Sequence, residues 1–103
     1  MSTYLFTYRA PKGYVAGAPE SIAAWRAFFA GLGEQLTEPG NPVFARTTSG
    51  NCGADTVLGG YSLVVADDLE SAATLAKDCP YVAAGGGVEV GEVTFLAPDG
   101  TVA

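Results

Sequence analysis

Gly59-Gly60-Tyr61-Ser62-Leu63-Val64-Val65-Ala66 runs straight into Asp67-Asp68-Leu69-Glu70, and Gly87-Val88-Glu89-Val90 follows one short segment later. This order reads as a strand, a capped helix and a second strand. Thr56 to Ala66 is apolar and β-branched enough for a strand, and Gly59-Gly60 inside it marks a bulge or a close backbone approach. Asp67 takes the N-cap position, with Glu70 three residues on in the spacing of a capping box. Leu69, Ala72, Ala76 and Cys79 recur at helical spacing as a buried stripe, and Pro80 stops the helix. Gly85-Gly86-Gly87 leads into a last strand from Val88 to Leu96, and Ala97-Pro98-Asp99-Gly100 makes a terminal turn.

The residues before Gly59 repeat this scheme more loosely. Thr3 to Tyr8 fits a first strand with Tyr4, Phe6 and Tyr8 on one face and Thr3, Leu5 and Thr7 on the other, because strand side chains alternate. Arg9 to Pro19, broken by Pro11, Gly13 and Gly17, is a loop of the length that often serves as a lid or binding segment. Pro19-Glu20-Ser21 opens a helix. Ile22, Trp25, Phe29, Leu32 and Leu36 give it an apolar stripe, widened by Phe28. Gly31 and Gly33 weaken that helix and point to a close packing contact. Pro39-Gly40-Asn41-Pro42 ends it. Val43 to Thr48 reads as the second strand, joined to Thr56–Ala66 through the turn-rich Ser49 to Asp55.

The element order predicts an α+β fold over residues 1–103 as a single domain: a ferredoxin-like βαββαβ sandwich with a four-stranded antiparallel sheet and both helices on one face. Apolar residues fall on both faces of that sheet, which calls for a second layer. With only two helices in the chain, another copy supplies it, and the expectation is a homodimer. The apolar share of 49 % against 16 % charged points the same way.

Composition excludes several function classes. The formal net charge is −6, with Arg9, Lys12, Arg26, Arg46 and Lys77 as the five basic residues. Such a chain repels phosphate backbones, so no nucleic-acid partner is expected. No window approaches the ~20 apolar residues of a membrane span, so no membrane partner is expected either. Met1-Ser2-Thr3 passes directly into Tyr4-Leu5-Phe6 without a basic or cleavage-like segment, which predicts a cytoplasmic protein. Cys52 and Cys79 stand far apart and are expected as free thiols, Cys79 buried and Cys52 at a loop tip. There is no histidine. The usual general base and the commonest metal ligand are therefore missing, and neither a cofactor nor a transition metal is expected.

Gly60-Tyr61-Ser62-Leu63, Ala66-Asp67-Asp68-Leu69, Ala72, Leu75-Ala76-Lys77, Cys79-Pro80 and Gly86-Gly87-Val88-Glu89-Val90 together resemble the YCII-related (DGPF-domain) family. Ala24-Trp25, Phe29, Leu32-Gly33, Leu36 and Pro39-Gly40-Asn41-Pro42 resemble a subgroup common in actinobacteria. The resemblance runs from about Thr3 to Phe95. It implies a ferredoxin-like fold that pairs into a dimeric α+β barrel with two sheets facing each other. Some members of the family are proposed to use a His-Asp pair. This chain has no histidine to take that role, and Gly53-Ala54-Asp55-Thr56 stands where the Asp-Gly-Pro-Phe signature would.

Five residues are candidates for ligand binding. Tyr4, Tyr8 and Tyr61 can line an inter-sheet pocket with their phenols, or simply pack at an interface, where tyrosine is common. Arg46 can hold a ligand carboxylate or phosphate, or form a surface ion pair. Glu89 and Glu92 are an odd step apart, so one of them can face inward and act as a base. Asp67, Asp68 and Glu70 are read as cap and dipole residues rather than a metal cluster. Gly85-Gly86-Gly87 precedes a strand and lacks the Lys-Ser/Thr of a phosphate loop. Three functions follow: a homodimeric domain binding a small molecule between its sheets, a small enzyme of proton-transfer or lyase type using Tyr, Arg and a carboxylate, or a structural or regulatory interaction module.

Overall fold

The computed structural model describes residues 1–103. Its elements in chain order are β1 (Ser2–Pro11), α1 (Pro19–Leu32), a 3-10 turn (Gly33–Gln35), β2 (Leu36–Pro42), β3 (Thr56–Ala66), α2 (Leu69–Ala76), α3 (Pro80–Ala83) and β4 (Gly87–Glu92). The four strands form one sheet in the order β2-β3-β1-β4, and every neighbouring pair is antiparallel. This is the expected ferredoxin-like α+β arrangement, in which each half sends its crossover helix over the same face.

Alternation along β1 decides which face is covered. Tyr4, Phe6, Tyr8 and Ala10 are all buried under the helices together with Val64 and Ala66 of β3. Burial of a ring such as Phe6 stabilises the fold by about 1.5–3 kcal/mol. Opposite them, Leu5 pairs with Leu63 and Thr3 with Val65 on a face that carries no second layer. Leu5 remains 37 % exposed there. Ala72 and Ala76 supply the small buried residues that let α2 lie close to the sheet, with Cys79 buried just beyond its end, whereas Leu69 turns outward.

Register slips between Tyr8 and Arg9: Tyr8 faces Gly60 and Arg9 faces Leu58, which leaves Gly59 as the extra residue of a bulge. The glycine pair thus has the role expected of it. Arg9 then fastens the connection that follows β2. Its Nε donates to Thr56 Oγ1 at 3.0 Å, and its Nη2 donates to the carbonyls of Thr56 at 3.0 Å and Cys52 at 3.3 Å.

Several expected boundaries move. The second strand is Leu36–Pro42, and residues 43–55 that follow it form no helix or strand. Pro39 and Pro42 read as helix terminators, yet they sit on the sheet's outer strand, where a missing N–H costs no ladder bond. Gly40 has φ +72°, which bends this irregular strand, and a Cβ there would collide with the Tyr61 carbonyl. Helix α1 ends at Leu32, and Leu36 belongs to β2. Gly31 has nothing within 4 Å of the position a Cβ would take, so it marks no close contact, and Gly33 is the helix C-cap at φ +56°. The cap of α2 is Asp68 rather than Asp67: its Oδ1 accepts from Ser71 N at 2.7 Å. Pro80 opens α3 instead of closing α2, and β4 ends at Glu92 rather than Leu96. β1 runs on to Pro11, which shortens the first loop to residues 12–18.

Candidate functional site

The apolar stripe of α1 divides in two. Phe28 and Leu32 are buried in the core, while Trp25 and Phe29 are only partly covered and Ile22 is 42 % exposed. The uncovered half looks into a cavity of about 530 Å³ between α1, the loop of residues 12–18 and the end of the sheet where β2, the bulge of β3 and α3 meet. A cavity of that size suits a small organic ligand.

Seven of its 21 lining residues are aromatic. Tyr8 and Trp25 meet edge to face at 4.9 Å, Trp25 and Tyr81 at 4.9 Å, and Tyr14 and Tyr81 at 4.8 Å. These are favourable aromatic geometries, so the wall is braced before any ligand arrives. Tyr14 Oη also accepts from Trp25 Nε1 at 3.3 Å, which ties the 12–18 loop to α1. Two cations, Arg26 and Arg46, complete the lining, and no Asp or Glu contributes to it. In a chain with eleven acids and five bases, that distribution makes the cavity an electropositive, aromatic space.

Three of the five candidate residues border the cavity, Tyr8, Arg46 and Tyr61, and two do not. Tyr4 is 1 % exposed beneath the helices and donates to Glu92 Oε1 at 3.4 Å. Glu89 lies in register with Thr7 on the open sheet face and borders a separate shallow depression with Arg9 and Cys52. Both Glu89 and Glu92 are exposed in the single chain, and neither borders the cavity. The three tyrosines cannot share an inter-sheet pocket: Tyr61 pairs with Thr7 on the open face, and Tyr4 and Tyr8 project from the opposite one.

Tyr8 offers a ring and no free proton. Its hydroxyl donates to Ser62 Oγ at 2.8 Å, and Ser62 donates in turn to the Pro39 carbonyl at 2.7 Å. The chain of bonds ends on an acceptor that has nothing to pass on, so it fastens β1, β3 and β2 together rather than relaying protons. Burial pushes the Tyr8 phenol up to about 12, with the Ser62 hydrogen bond opposing. Arg46 stands on the irregular segment after β2, not on a strand, and its Nη1 donates to the carbonyls of Val43 at 3.2 Å and Phe44 at 3.1 Å. These bonds hold the guanidinium on a short tether.

Sequence reasoning singled out the long loop but not Tyr14 within it, and it missed Arg26 and Tyr81 altogether. Trp25 and Phe29 appeared in the stripe as core residues, because periodicity shows which face is apolar and not what covers it. Tyr81 follows Pro80, which read as a stop. No three carboxylate or thiol side chains converge in a metal-binding group. No helix is long and apolar enough to cross a membrane.

A four-stranded antiparallel sheet with crossover helices on one face, and a ring-walled cavity at one end, defines an α+β ferredoxin-like protein. The chain belongs to the YCII-related domain family, whose model matches residues 1–96. No curated protein sequence gives a significant match. Among solved structures the chain is similar to 5-chloro-2-hydroxyhydroquinone dehydrochlorinase from Burkholderia phenoliruptrix AC1100, in complex with 2,5-dihydroxybenzoquinone. The TM-score is 0.65 at 17 % identity, over 94 % of this chain and 97 % of that one. At that identity the likeness is one of fold.

Proposed function

We propose that this YCII-related chain is a homodimeric small-molecule-binding domain whose ligand is a planar aromatic or quinonoid compound bearing an acidic oxygen. The observation that carries this is the cavity wall, where edge-to-face rings and two guanidiniums meet without a single carboxylate. Rings favour a flat apolar body, and an arginine favours an anionic oxygen through a charge-assisted hydrogen bond. The dehydrochlorinase of similar fold was solved with a compound of this kind, a flat ring with acidic hydroxyls, which supports the ligand class. The site lies within one chain, at the end of the sheet, and not between two sheets.

Titration calorimetry with 2,5-dihydroxybenzoquinone and with 2,5-dimethoxybenzoquinone, which lacks acidic protons, tests the proposal. The expected result is binding of the hydroxylated ring, at least about tenfold tighter than the methoxylated one, as one charge-assisted bond contributes. Arg46→Ala is expected to erase that difference. Binding of neither compound would leave the interaction-module reading as the better one.

The similar fold of a dehydrochlorinase favours a second reading, a lyase. Elimination needs a base, and no carboxylate, lysine or histidine lines the cavity. Chloride release from 5-chloro-2-hydroxyhydroquinone, followed by ion chromatography, is expected to stay at the level of a protein-free control. Release by the wild-type chain would replace the binding reading with the enzymatic one.

The open sheet face supports the homodimer. The chain is flat, 41 × 35 × 20 Å, and its radius of gyration of 14.4 Å exceeds the ~13 Å of a compact chain of this length. Only 14 of 103 residues are buried, while Leu5 and Tyr61 on that face are 37 % and 38 % exposed. Light scattering after size exclusion is expected to give twice the 10.5 kDa chain mass, and Leu5→Lys to halve it. A wild-type mass of one chain sinks the dimer.

A further inference from the structure

The five tyrosines are not equivalent. Tyr4 and Tyr8 donate their hydroxyl protons to Glu92 and Ser62, while the hydroxyls of Tyr14 and Tyr61 accept from Trp25 and Asn41. Tyr81 is only 7 % exposed, yet its hydroxyl makes no hydrogen bond within the chain. Every fully buried polar side-chain atom does have a partner. The Tyr81 oxygen therefore keeps a contact with the space beside it, and that space is the cavity.

The surroundings hold this hydroxyl in place. Trp25 and Tyr14 clamp the ring edge to face at 4.9 and 4.8 Å. Gly59 leaves the gap in which the ring's end sits: a Cβ there would lie 2.6 Å from Tyr81 Oη and 2.7 Å from its Cε2. Gly59 has no positive φ that would demand glycine, so space for Tyr81 is what the missing side chain provides. Burial, with smaller contributions from Tyr14 and Cys79, pushes the phenol up, and the nearby Arg46 guanidinium pulls it back. The group stays protonated at neutral pH and lies within the field of the cation that would attract an anionic ligand.

We propose that Tyr81 is the specificity-determining donor of the cavity. It gives a hydrogen bond from its phenol to the anionic ring oxygen that Arg46 attracts, with Gly59 as the gap that seats it. With no partner inside the chain, the hydroxyl keeps its proton free for an acceptor that enters the cavity. This inference rests on the cavity being the ligand site.

The test compares wild type, Tyr81→Phe and Gly59→Ala in binding 2,5-dihydroxybenzoquinone and an oxygen-free ring, p-xylene, by calorimetry. Tyr81→Phe is expected to weaken the quinone about tenfold, one charge-assisted hydrogen bond, and to leave p-xylene within about twofold. Gly59→Ala is expected to weaken the quinone in the same direction; should it fail to fold, Tyr81→Phe decides alone. Unchanged quinone binding by Tyr81→Phe would overturn this inference and leave the proposed ligand class standing. Equal losses for both rings would reduce Tyr81 to packing and overturn it too. No quinone binding by wild type would overturn both.

Discussion

At the scale of single residues, the glycines divide by what surrounds them. Gly31 lies inside α1 with nothing within 4 Å of a prospective Cβ, so it carries the entropic cost of glycine in a helix without a return. Gly31→Ala is expected to stabilise the chain by about 0.5–1 kcal/mol in urea unfolding. Gly40 is the opposite case, with φ +72° and the Tyr61 carbonyl where a Cβ would go. Gly40→Ala is expected to destabilise by at least about 1–3 kcal/mol, because strain and collision act together. Equal effects at the two positions would contradict this account. In sequence the two look alike, since a glycine's neighbours in space are not written beside it.

At the scale of elements, α2 depends on its first turn. Eight residues are too few for a helix to hold by propensity alone, so packing of Ala72 and Ala76 and the Asp68 cap must hold it. The Ser71 N–H holds the Asp68 carboxyl below its ordinary value of 3.8. A carboxyl depressed in the fold stabilises above its unfolded value and loses that contribution as pH falls through the folded one. Amide exchange at Ser71 and Ala72 is therefore expected to quicken as pH drops below about 4, after correction for the intrinsic rate. In Asp68→Asn that step is expected to vanish. Persistence of the step in the variant would assign it to another group. The neighbouring pair Asp67-Asp68 shows why the cap was misplaced by one residue: both types suit the position, and only backbone direction chooses between them.

At the scale of the whole molecule, the buried acids of the core make it sensitive to base. Burial pushes the Tyr8 phenol from 10.0 to about 12 and the Cys79 thiol from 9.0 to about 11. Both groups stay neutral longer in the fold than in the unfolded chain. Their contribution is thus complete below pH 9 and declines as the unfolded chain releases its protons. The melting temperature is expected to fall steadily from pH 9 to 12. Cys79→Ala is expected to remove the part between 9 and 11 and leave the decline that begins at 10. A melting temperature independent of pH across that range would refute the linkage. Flatness is the other property of this scale. One sheet face is sealed by helices and the other is not, so the assembly state decides whether Leu5, Leu63 and Val65 meet water.

The sequence by itself determined the element order, the third strand to the residue, the face on which Tyr4, Phe6 and Tyr8 lie together, and the family. Those features depend on local periodicity and on punctuation by Asp, Gly and Pro, which neighbours in the chain carry. Only the tertiary structure decided that Pro39 and Pro42 sit on an outer strand and that Tyr4 stands apart from the cavity that Tyr8 and Tyr61 border. It alone brought Tyr81, Trp25 and Arg46 around one cavity. Tyr8, Trp25, Arg46 and Tyr81 come from four separate segments, and their meeting depends on the crossover of α1, the bulge at Gly59 and the turn into α3. Each of these is a packing outcome between distant residues, and no single window of the chain contains both partners.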